Sequence, residues 1–491
     1  MINAVFNFRN SWDGRANNIF NGRNPFGPRD PAAGSDPLNS VLVADAGGNL
    51  SPVKIALPDA SLASQAVEPP VNNLEMSCSN QLFEQIGQKL LRLNPLALQT
   101  ISTTDSVLGP YANKIAGTQI VKAAMWDPAT NSLASYETLI QRAFDSKYWS
   151  SPNRTADNYR QIEKNFSFFW GVAIMLYEST LVSGDSPFDQ YANGNIGALT
   201  AQQVRGWSVF NGNGQCASCH TGAEFTGAAT SLKGAQAEGS QVAHTLLGDG
   251  NDGLYDGGFY NIGVRPTSED LGTGGTDSWG NPLSWARQLK TWLQTNPFQT
   301  QMSNVGRDGF AVNASTFQFG QNQPVGSTTR DAVDGSFKVP TLRNVELTGP
   351  FMHNGGMAAL EEVVDFYNRG GDARSADGIP AHNDAANTTG FGSNPANRTP
   401  AILPLNLSAD DEAALVAFLK SLTDERVRWE KSPFDHPSLN VPNGHLFDEN
   451  QVLANGGTIY AADSMLALPA IGAAGRTTAM GPVLPFDAGL R

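Results

Sequence analysis

The chain has 491 residues, too many for one ordinary domain, and this length predicts two or three domains. Its 32 Lys and Arg against 46 Asp and Glu give a formal net charge of −14. This acidity argues against nucleic acid and anionic membranes as partners, because polyanions are bound by basic surfaces. Its three cysteines are too few for a disulfide framework in a chain of this length, so they need another explanation.

Turn residues, helical periodicity and capping signals predict the elements in chain order. Residues 1–70 are rich in Asn, Gly, Pro and Asp, which favours loop, and residues 221–335 are predicted to form long ordered loop. The last 60 residues have little periodicity and are predicted to wrap over an existing surface. Helices are predicted at 80–98, 136–144, 159–181, 201–210 (capped by Thr200), 359–367 and 410–425 (capped by Ser408). The predicted class is mostly α with a large loop content.

No segment of the sequence has the character of a membrane span. The most apolar run, residues 166–176, has about half the length that a bilayer requires and is flanked by charges, so it predicts a buried helix. Residues 1–15 lack the basic start, apolar stretch and small-residue cleavage site of a signal peptide. The chain is therefore predicted either to be cytoplasmic or not to be the whole precursor.

The strongest motif is C-x-x-C-H, formed by Cys216, Cys219 and His220. This spacing is typical of covalent c-type haem attachment, because two thiols on one turn reach the two vinyl groups of a porphyrin and the adjacent imidazole reaches the iron. The alternatives are a redox cysteine pair and half of a zinc site. A zinc site needs further thiols or spaced histidines, and only Cys78 remains, while a thioredoxin-like motif needs a βαβ context that the pattern lacks.

A haem iron has a second axial face, so the other possible ligands matter. Of the six histidines, only His353 lies in a segment dense in possible ligands and chain-reversing glycines, GPFMHNGGM. Judged by itself, His353 is more typical of a hydrogen-bonding residue than of a ligand, and Tyr367 of a core aromatic. Surface or structural roles are predicted for the remaining histidines, which lie in polar loops: His244, His382, His436 and His445.

Residues 341–371, TLRNVELTGPFMHNGGMAALEEVVDFYNRGG, resemble the signature of bacterial di-haem cytochrome c peroxidases and their MauG-like relatives. The resemblance extends to INAVFNFRNSWDGRANNIF near the start, to LEMS at 74–77 and to ESTLVSGDSPFDQY before the haem motif. The stretches FNGRNPFGPRD and SPFDHPSLNVPNGH resemble a large branch of that family related to haem-containing rubber oxygenases. These motifs are specific for the superfamily and much less so for a substrate.

The resemblance implies two cytochrome c-like domains, each holding one haem. They are expected at 1–195, an incomplete peroxidatic domain, and at 196–431, the domain of the electron-transfer haem; residues 432–491 would be a wrapping extension. In the family, the first haem motif lies upstream of the segment that begins here at Ile2, so the N-terminal domain is expected to lack its start. The calcium-binding asparagine of the family should also precede Met1.

The resemblance also assigns residues to the electron-transfer haem. Cys216, Cys219 and His220 would hold it. Tyr367 occupies the place of its distal ligand, which is Met in typical peroxidases and Tyr in the MauG-like group. A tyrosinate would hold the iron at low potential, because the axial ligand is a main determinant of potential. His353 would then lie beside the haem.

Five further residues match positions of the family. Arg343 would meet the haem propionates. Trp12 matches the tryptophan between the haems, and Glu75 the distal acid that moves a proton between the oxygens of hydrogen peroxide. The backbone carbonyls of Thr348 and Pro350 would bind a calcium ion. Without the resemblance, Trp12 would be interpreted as a buried core residue and Glu75 as a solvated surface charge.

Two positions depart from the family in this region. The distal glutamine expected about ten residues after the tryptophan has no match, because Asn21 and Gly22 stand there. Cys78 is not a haem anchor and is interpreted as a buried structural thiol rather than a reactive one.

The resemblance predicts a haem c oxidoreductase in which electrons pass from the C-terminal haem by Trp12 to a peroxide-reducing site that includes Glu75. Its partners would be a small redox protein as electron donor and hydrogen peroxide. Because haem c is attached outside the cytoplasm, a periplasmic or extracellular location is implied. Three alternatives stay open: a mono-haem electron carrier, an oxygenase acting on an apolar polymer or lipid, and a structural protein with incidental haem. Glu75 weighs against the oxygenase, because binding dioxygen needs no such proton shuttle.

Overall fold

The structure, a computed structural model, describes residues 1–112, 120–123, 126–127, 132–233, 241–246, 252–265, 267, 269–295, 301–302, 312–313, 330–372, 397–399, 401–445, 452–455, 458–461 and 463–489. Its helices are α1 (Ser61–Ala66), α2 (Phe83–Leu90), α3 (Tyr136–Ala143), α4 (Gln161–Lys164), α5 (Phe166–Glu178), α6 (Pro187–Ala192), α7 (Ala201–Asn211), α8 (Thr230–Lys233), α9 (Trp285–Thr295), α10 (Leu360–Asn368), α11 (Ala409–Lys420) and α12 (Glu425–Arg428). His382 lies outside the described residues, as do the side chains of His244 and His445.

The strands are short and pair into small sheets. They are β1 (Val41–Ala44), β2 (Leu50–Val53), β3 (Gln99–Ser102), β4 (Ile120–Ala123), β5 (Trp126–Asp127), β6 (Ser132–Leu133), β7 (Val242–Leu246), β8 (Asp252–Asp256), β9 (Phe259–Tyr260), β10 (Gln301–Met302), β11 (Val312–Asn313), β12 (Arg330–Asp331), β13 (Phe337–Lys338), β14 (Leu439–His445), β15 (Val452–Asn455), β16 (Thr458–Ala461) and β17 (Asp463–Leu468). In the described part, the largest sheet has three strands in the order β12-β8-β7, with β12 parallel and β7 antiparallel to β8.

The chain divides into two compact units. The first unit comprises Met1–Gly87, Phe144–Asp424 and Leu484–Arg491, and the second comprises Gln88–Ala143 and Glu425–Val483. The boundaries predicted from the resemblance, after residues 195 and 431, do not coincide with these, and the division into two cytochrome c-like domains stays a prediction.

The second unit joins distant parts of the sequence by hydrogen bonds. The Asp435 carboxylate accepts from the backbone N and the hydroxyl of Ser106, both at 2.6 Å. The backbone N of Thr100 donates to the Ser438 hydroxyl at 2.7 Å, and the backbone N of Ser438 donates to the Thr100 carbonyl at 2.8 Å. Much of the C-terminal stretch therefore pairs with the chain around residue 100.

The predicted mostly α class overstates the helix content, since the structure is 33% helical with 14% strand. The stretch 221–335, predicted as loop, contains helix α9 and several strands. Ser284 caps helix α9 by accepting from the backbone N of Arg287 at 3.1 Å, and the distant Asp256 accepts from the Ser284 hydroxyl at 2.7 Å and from the backbone N of Ala286 at 2.8 Å. Ser284 is a local capping signal that the prediction of loop overlooked, whereas the support from Asp256 leaves no local signal.

The predicted helix at 159–181 is interrupted at Asn165. The Asn165 side chain accepts from the Leu42 backbone N at 2.8 Å and donates to the carbonyls of Leu42 and Tyr148 at 2.7 Å each. This amide therefore satisfies polar groups at strand β1, and the chain changes direction between α4 and α5.

The apolar helix predicted to be buried, α5, is buried only in its first half. Phe166, Phe168 and Phe169 are buried, whereas Leu176 near its end is 59% exposed. Among the described residues, no helix combines the length and the apolar composition needed to cross a bilayer.

Helices α7 and α11 pack at the centre of the first unit. Thr200 caps α7 and Ser408 caps α11, as predicted, each by accepting from a backbone N of the first turn. Gly206 makes the close approach possible, because a Cβ added there would overlap the backbone carbonyl of Ala414. A cluster of aromatic rings, including Phe210 and Phe418 with centroids 5.2 Å apart, fills the space beside this crossing.

We expect Gly206→Ala to lower the free energy of unfolding by about 1–3 kcal/mol, because the added methyl group forces the two helices apart. Chemical denaturation of the purified protein measures the change. Gly184→Ala is the matched control, since a Cβ there meets nothing within 4 Å and should leave stability nearly unchanged. Equal stability of the two variants would contradict the close packing at Gly206.

Candidate functional site

A large, mainly apolar cavity lies in the first unit beside the C-x-x-C-H motif. The motif follows directly on α7, and Cys216–Ser218 form one turn of 3₁₀ helix. The other walls are formed by residues 260–265 and 337–342 and by helices α10 and α11. The motif therefore forms part of the lining of this cavity.

The His220 ring interacts with two backbone carbonyls, those of Phe225 and Pro340. Its Nδ1 lies 3.0 Å from the carbonyl of Phe225, and since a carbonyl only accepts, Nδ1 carries the proton. Burial lowers the pKa of His220 to about 4, so the ring is neutral near pH 7. The lone pair is then on Nε2, as a proximal haem ligand requires.

Cys216 and Cys219 are free thiols on the same cavity wall. Burial raises the pKa of Cys216 to about 12 and also raises that of Cys219. Both are therefore neutral, unlike the thiolates of a reactive redox pair. The described residues contain no group of three or more His, Cys, Asp or Glu arranged to hold a metal ion, so nothing there completes a zinc site around the pair.

Tyr367 and His353 line the same cavity. Burial raises the pKa of the Tyr367 hydroxyl, and the proximity of Cys219 and Cys216 adds to the effect. His353 stacks on Phe337 with ring centroids 3.7 Å apart, and burial lowers its pKa. These two residues and the haem motif are thus brought together although they are far apart in sequence.

Trp12 also lines the cavity and is 41% exposed, so it is not the buried core residue that its sequence context alone predicts. It lies in a tight loop closed by the bridge between Asn10 and Ala16. Its carbonyl accepts from the backbone N of Lys338 at 2.8 Å. Gly14 in this loop has φ +75° and faces the Phe259 ring, where a Cβ would collide.

Arg343 is not among the residues that line the cavity, and its contact with the haem propionates stays a prediction. Its guanidinium donates to both carboxylate oxygens of Asp189, at 2.8 and 2.9 Å, and to the carbonyl of Ala223 at 2.8 Å. Asp189 accepts from the backbone N of Ser186 at the start of helix α6. With its donors used in this way, Arg343 joins three segments of the first unit.

Glu75 and Cys78 lie in an exposed turn outside the cavity. Cys78 is exposed, so the prediction of a buried thiol is wrong. Glu75 lies close enough to Glu68 to affect it electrostatically: burial raises the pKa of Glu68, and the charges of Asp13 and Glu75 add to this. Glu68 in turn pairs with Arg15 at 2.7 Å. Glu75 is therefore linked electrostatically to Glu68, which pairs with Arg15 of the loop that carries Trp12.

The two residues assigned to calcium, Thr348 and Pro350, are both exposed. The Thr348 hydroxyl donates to the carbonyl of Val345 at 3.0 Å. Calcium binding at these residues stays a prediction.

The sequence analysis missed polar residues on the cavity wall. Lys338 and Tyr260 both line the cavity, and Tyr260 packs on Tyr255 with ring centroids 5.4 Å apart. Lys338 lies three residues before the motif at 341–371 and could have been noticed as a cation close to it. Nothing in the sequence identifies the tyrosine pair.

The cavity fits a haem c on the chemistry of its walls. It offers two neutral thiols for the vinyl groups and the His220 imidazole, whose Nε2 carries a lone pair in the tautomer protonated at Nδ1. The phenol of Tyr367 offers an oxygen as a second ligand to the iron. The remaining surface is largely apolar, as a porphyrin requires.

Comparisons with known proteins give relatives of one kind. The chain is 28% identical over 250 residues to the cytochrome-c peroxidase IdrP2 of Denitromonas iodatirespirans, covering 51% of this chain and 47% of that protein. It is 27% identical over 202 residues to the methylamine utilization protein MauG of Methylorubrum extorquens, covering 41% of this chain and 35% of that protein. The chain thus spans about half the length, or less, of the curated relatives it matches. No protein-family model matches it.

Among solved structures, the diheme peroxidase BthA from Burkholderia thailandensis matches with 19% identity and a TM-score of 0.34, covering 76% of this chain and 67% of that chain. A TM-score this low does not establish a shared arrangement of the whole molecule. The relationship therefore depends on the sequence matches.

Proposed function

Because this chain is a homologue of the di-haem cytochrome c peroxidases and MauG-like proteins, we propose that it is a haem c oxidoreductase that reduces hydrogen peroxide. The observation that carries the proposal is the single cavity lined by Cys216, Cys219, His220, Tyr367 and Trp12. Two thiols, an imidazole, a phenol and an indole at one cavity form the set that the electron-transfer haem of such an enzyme needs.

The chain's residues would bind and orient the cofactor. A haem c supplies reversible one-electron transfer when bound. Cys216 and Cys219 would form the thioether bonds, and His220 would bind the iron through Nε2, with Nδ1 fixed by the Phe225 carbonyl. Tyr367 would hold the iron through its hydroxyl oxygen, because a bound iron cation would lower the pKa of the phenol and favour its ionised form. The apolar walls would exclude water.

Reduction of one hydrogen peroxide to two waters consumes two electrons and two protons. The electrons would come from a small redox protein and pass by Trp12, whose indole lies on the cavity wall and is also partly exposed to solvent. Glu75 would move a proton from one peroxide oxygen to the other as the bond between them breaks. Its electrostatic link to Glu68, which pairs with Arg15 of the Trp12 loop, supports this assignment.

We expect Glu75→Gln to lower peroxide turnover about 10²- to 10⁴-fold, the usual contribution of a general acid or base. Steady-state turnover with a reduced small cytochrome as donor measures it. Glu361→Gln is the control, since this exposed acid pairs with Lys420 at 3.1 Å, does not line the cavity and should keep wild-type turnover. Undiminished turnover in Glu75→Gln would remove Glu75 from the proposal.

A mono-haem electron carrier is the second candidate, because the sequence contains a single C-x-x-C-H. A carrier would exchange electrons with a donor at normal rates but show no peroxide turnover. Location in the periplasm or outside the cell, where haem c is attached, is part of the proposal for either function.

A further inference from the structure

The cavity wall has an unusual distribution of charge. It contains no aspartate or glutamate among the described residues, and its lysine and arginine side chains are Lys338 and Arg265. The Arg265 guanidinium donates to both carboxylate oxygens of Glu269 at 2.8 Å, and both side chains are partly exposed to solvent. The charge of Arg265 is therefore balanced by Glu269, and the question is which group balances the charge of Lys338.

Strand pairing and a backbone hydrogen bond fix the position of Lys338. Lys338 lies in strand β13 opposite Phe259 of β9, and its backbone N donates to the Trp12 carbonyl at 2.8 Å. Among the residues that the structure describes, its ammonium has no hydrogen-bond or ion-pair partner. Burial lowers the pKa of this ammonium to about 8, so it is still mainly charged at pH 7.

An unpaired ammonium in an apolar wall is costly unless a ligand brings an opposite charge. A haem brings two propionate carboxylates, and the arginine expected to meet them, Arg343, is engaged with Asp189. Of the two cationic side chains on the cavity wall, Lys338 is the one without a carboxylate partner among the described residues, so it is the cation available to a propionate.

We propose that Lys338 binds a propionate carboxylate of the haem by a charge-assisted hydrogen bond. This inference rests on the proposed haem c function of the same cavity. Lys338 is thus a positioning residue: it orients the cofactor against the wall that carries Trp12, and its charge favours the reduced iron.

The test compares full-length, haem-loaded Lys338→Met with the wild type. Removing the cation leaves the propionate unbalanced and stabilises the oxidised iron, so the midpoint potential should fall, with a roughly tenfold change in the equilibrium between reduced and oxidised forms. The propionate bending bands in resonance Raman spectra should shift as well. Lys338→Arg should restore both properties in large part, and Lys420→Met, a change at an exposed lysine, should alter neither.

Haem content measured on the same samples separates this inference from the proposed function. One haem per chain in the wild type, with unchanged potential and propionate bands in Lys338→Met, would overturn the role of Lys338 and leave the haem assignment standing. A wild type without covalent haem would overturn both. If Lys338→Met does not fold, Lys338→Gln gives the same comparison with a polar side chain.

Discussion

Replacing both Cys216 and Cys219 by serine should abolish covalent haem in a strain that matures c-type cytochromes. Thioether bonds require the sulfurs, and the two thiols lie together on one turn at the cavity floor. Pyridine haemochrome spectra and haem staining of a denaturing gel measure the loss, which should be complete.

Cys78→Ser is the matched control for this experiment. Cys78 is the third cysteine of the chain and is exposed in a turn outside the cavity, so its replacement should leave the haem content at the wild-type level. Covalent haem that survives in the double variant, or that disappears in Cys78→Ser, would show that the anchors have been assigned wrongly.

Replacing Tyr367 by methionine should raise the midpoint potential of the bound haem by about 100 mV or more, because axial ligands set haem potentials over a range of about 0.8 V and a neutral thioether stabilises the oxidised iron less than a phenolate does. Spectroelectrochemical titration measures the potential, and the absorption spectrum reports the change of ligand. Methionine is unbranched and flexible, so its side chain should fit the space that Tyr367 occupies in helix α10.

The control for Tyr367 is Tyr260→Phe, which removes another buried phenol from the same cavity wall. Its effect on the potential should be much smaller, since Tyr260 is not expected to reach the iron. If Tyr367→Met leaves both spectrum and potential unchanged, Tyr367 is not a ligand, and His353, which lines the cavity beside Phe337, becomes the residue to test.

The parts of the molecule that could be predicted are those whose signals are local. The C-x-x-C-H motif and the Thr200 and Ser408 caps each lie within a few residues of what they determine, and the structure contains both capped helices as predicted. The resemblance added Tyr367 and Trp12, and the structure places both on the wall of the cavity beside the motif.

The parts that could not be predicted depend on partners far away in sequence. The Ser284 cap of helix α9 is held by Asp256, and the partner of Arg343 is Asp189, so neither contact is visible in the segment that it affects. The exposure of Cys78 was also mispredicted, because a small thiol in a polar turn gives no information on burial. Lys338 could be seen in the sequence, but its lack of a counter-charge depends on the whole cavity wall.

The burial of the two cysteines constrains the order of assembly. In the finished fold both cysteines are partly buried and burial raises the pKa of their thiols, and the cavity around them is lined by residues 337–342 and by α10 and α11, all of which follow the motif in the chain. A neutral, enclosed thiol is a poor nucleophile. If the cavity holds haem c, as proposed, we expect the thioether bonds to form while the chain is still open, so that the later segments close around a cofactor already in place. Haem would then be part of the folding process, and mixing haem with the folded polypeptide would not be an equivalent route.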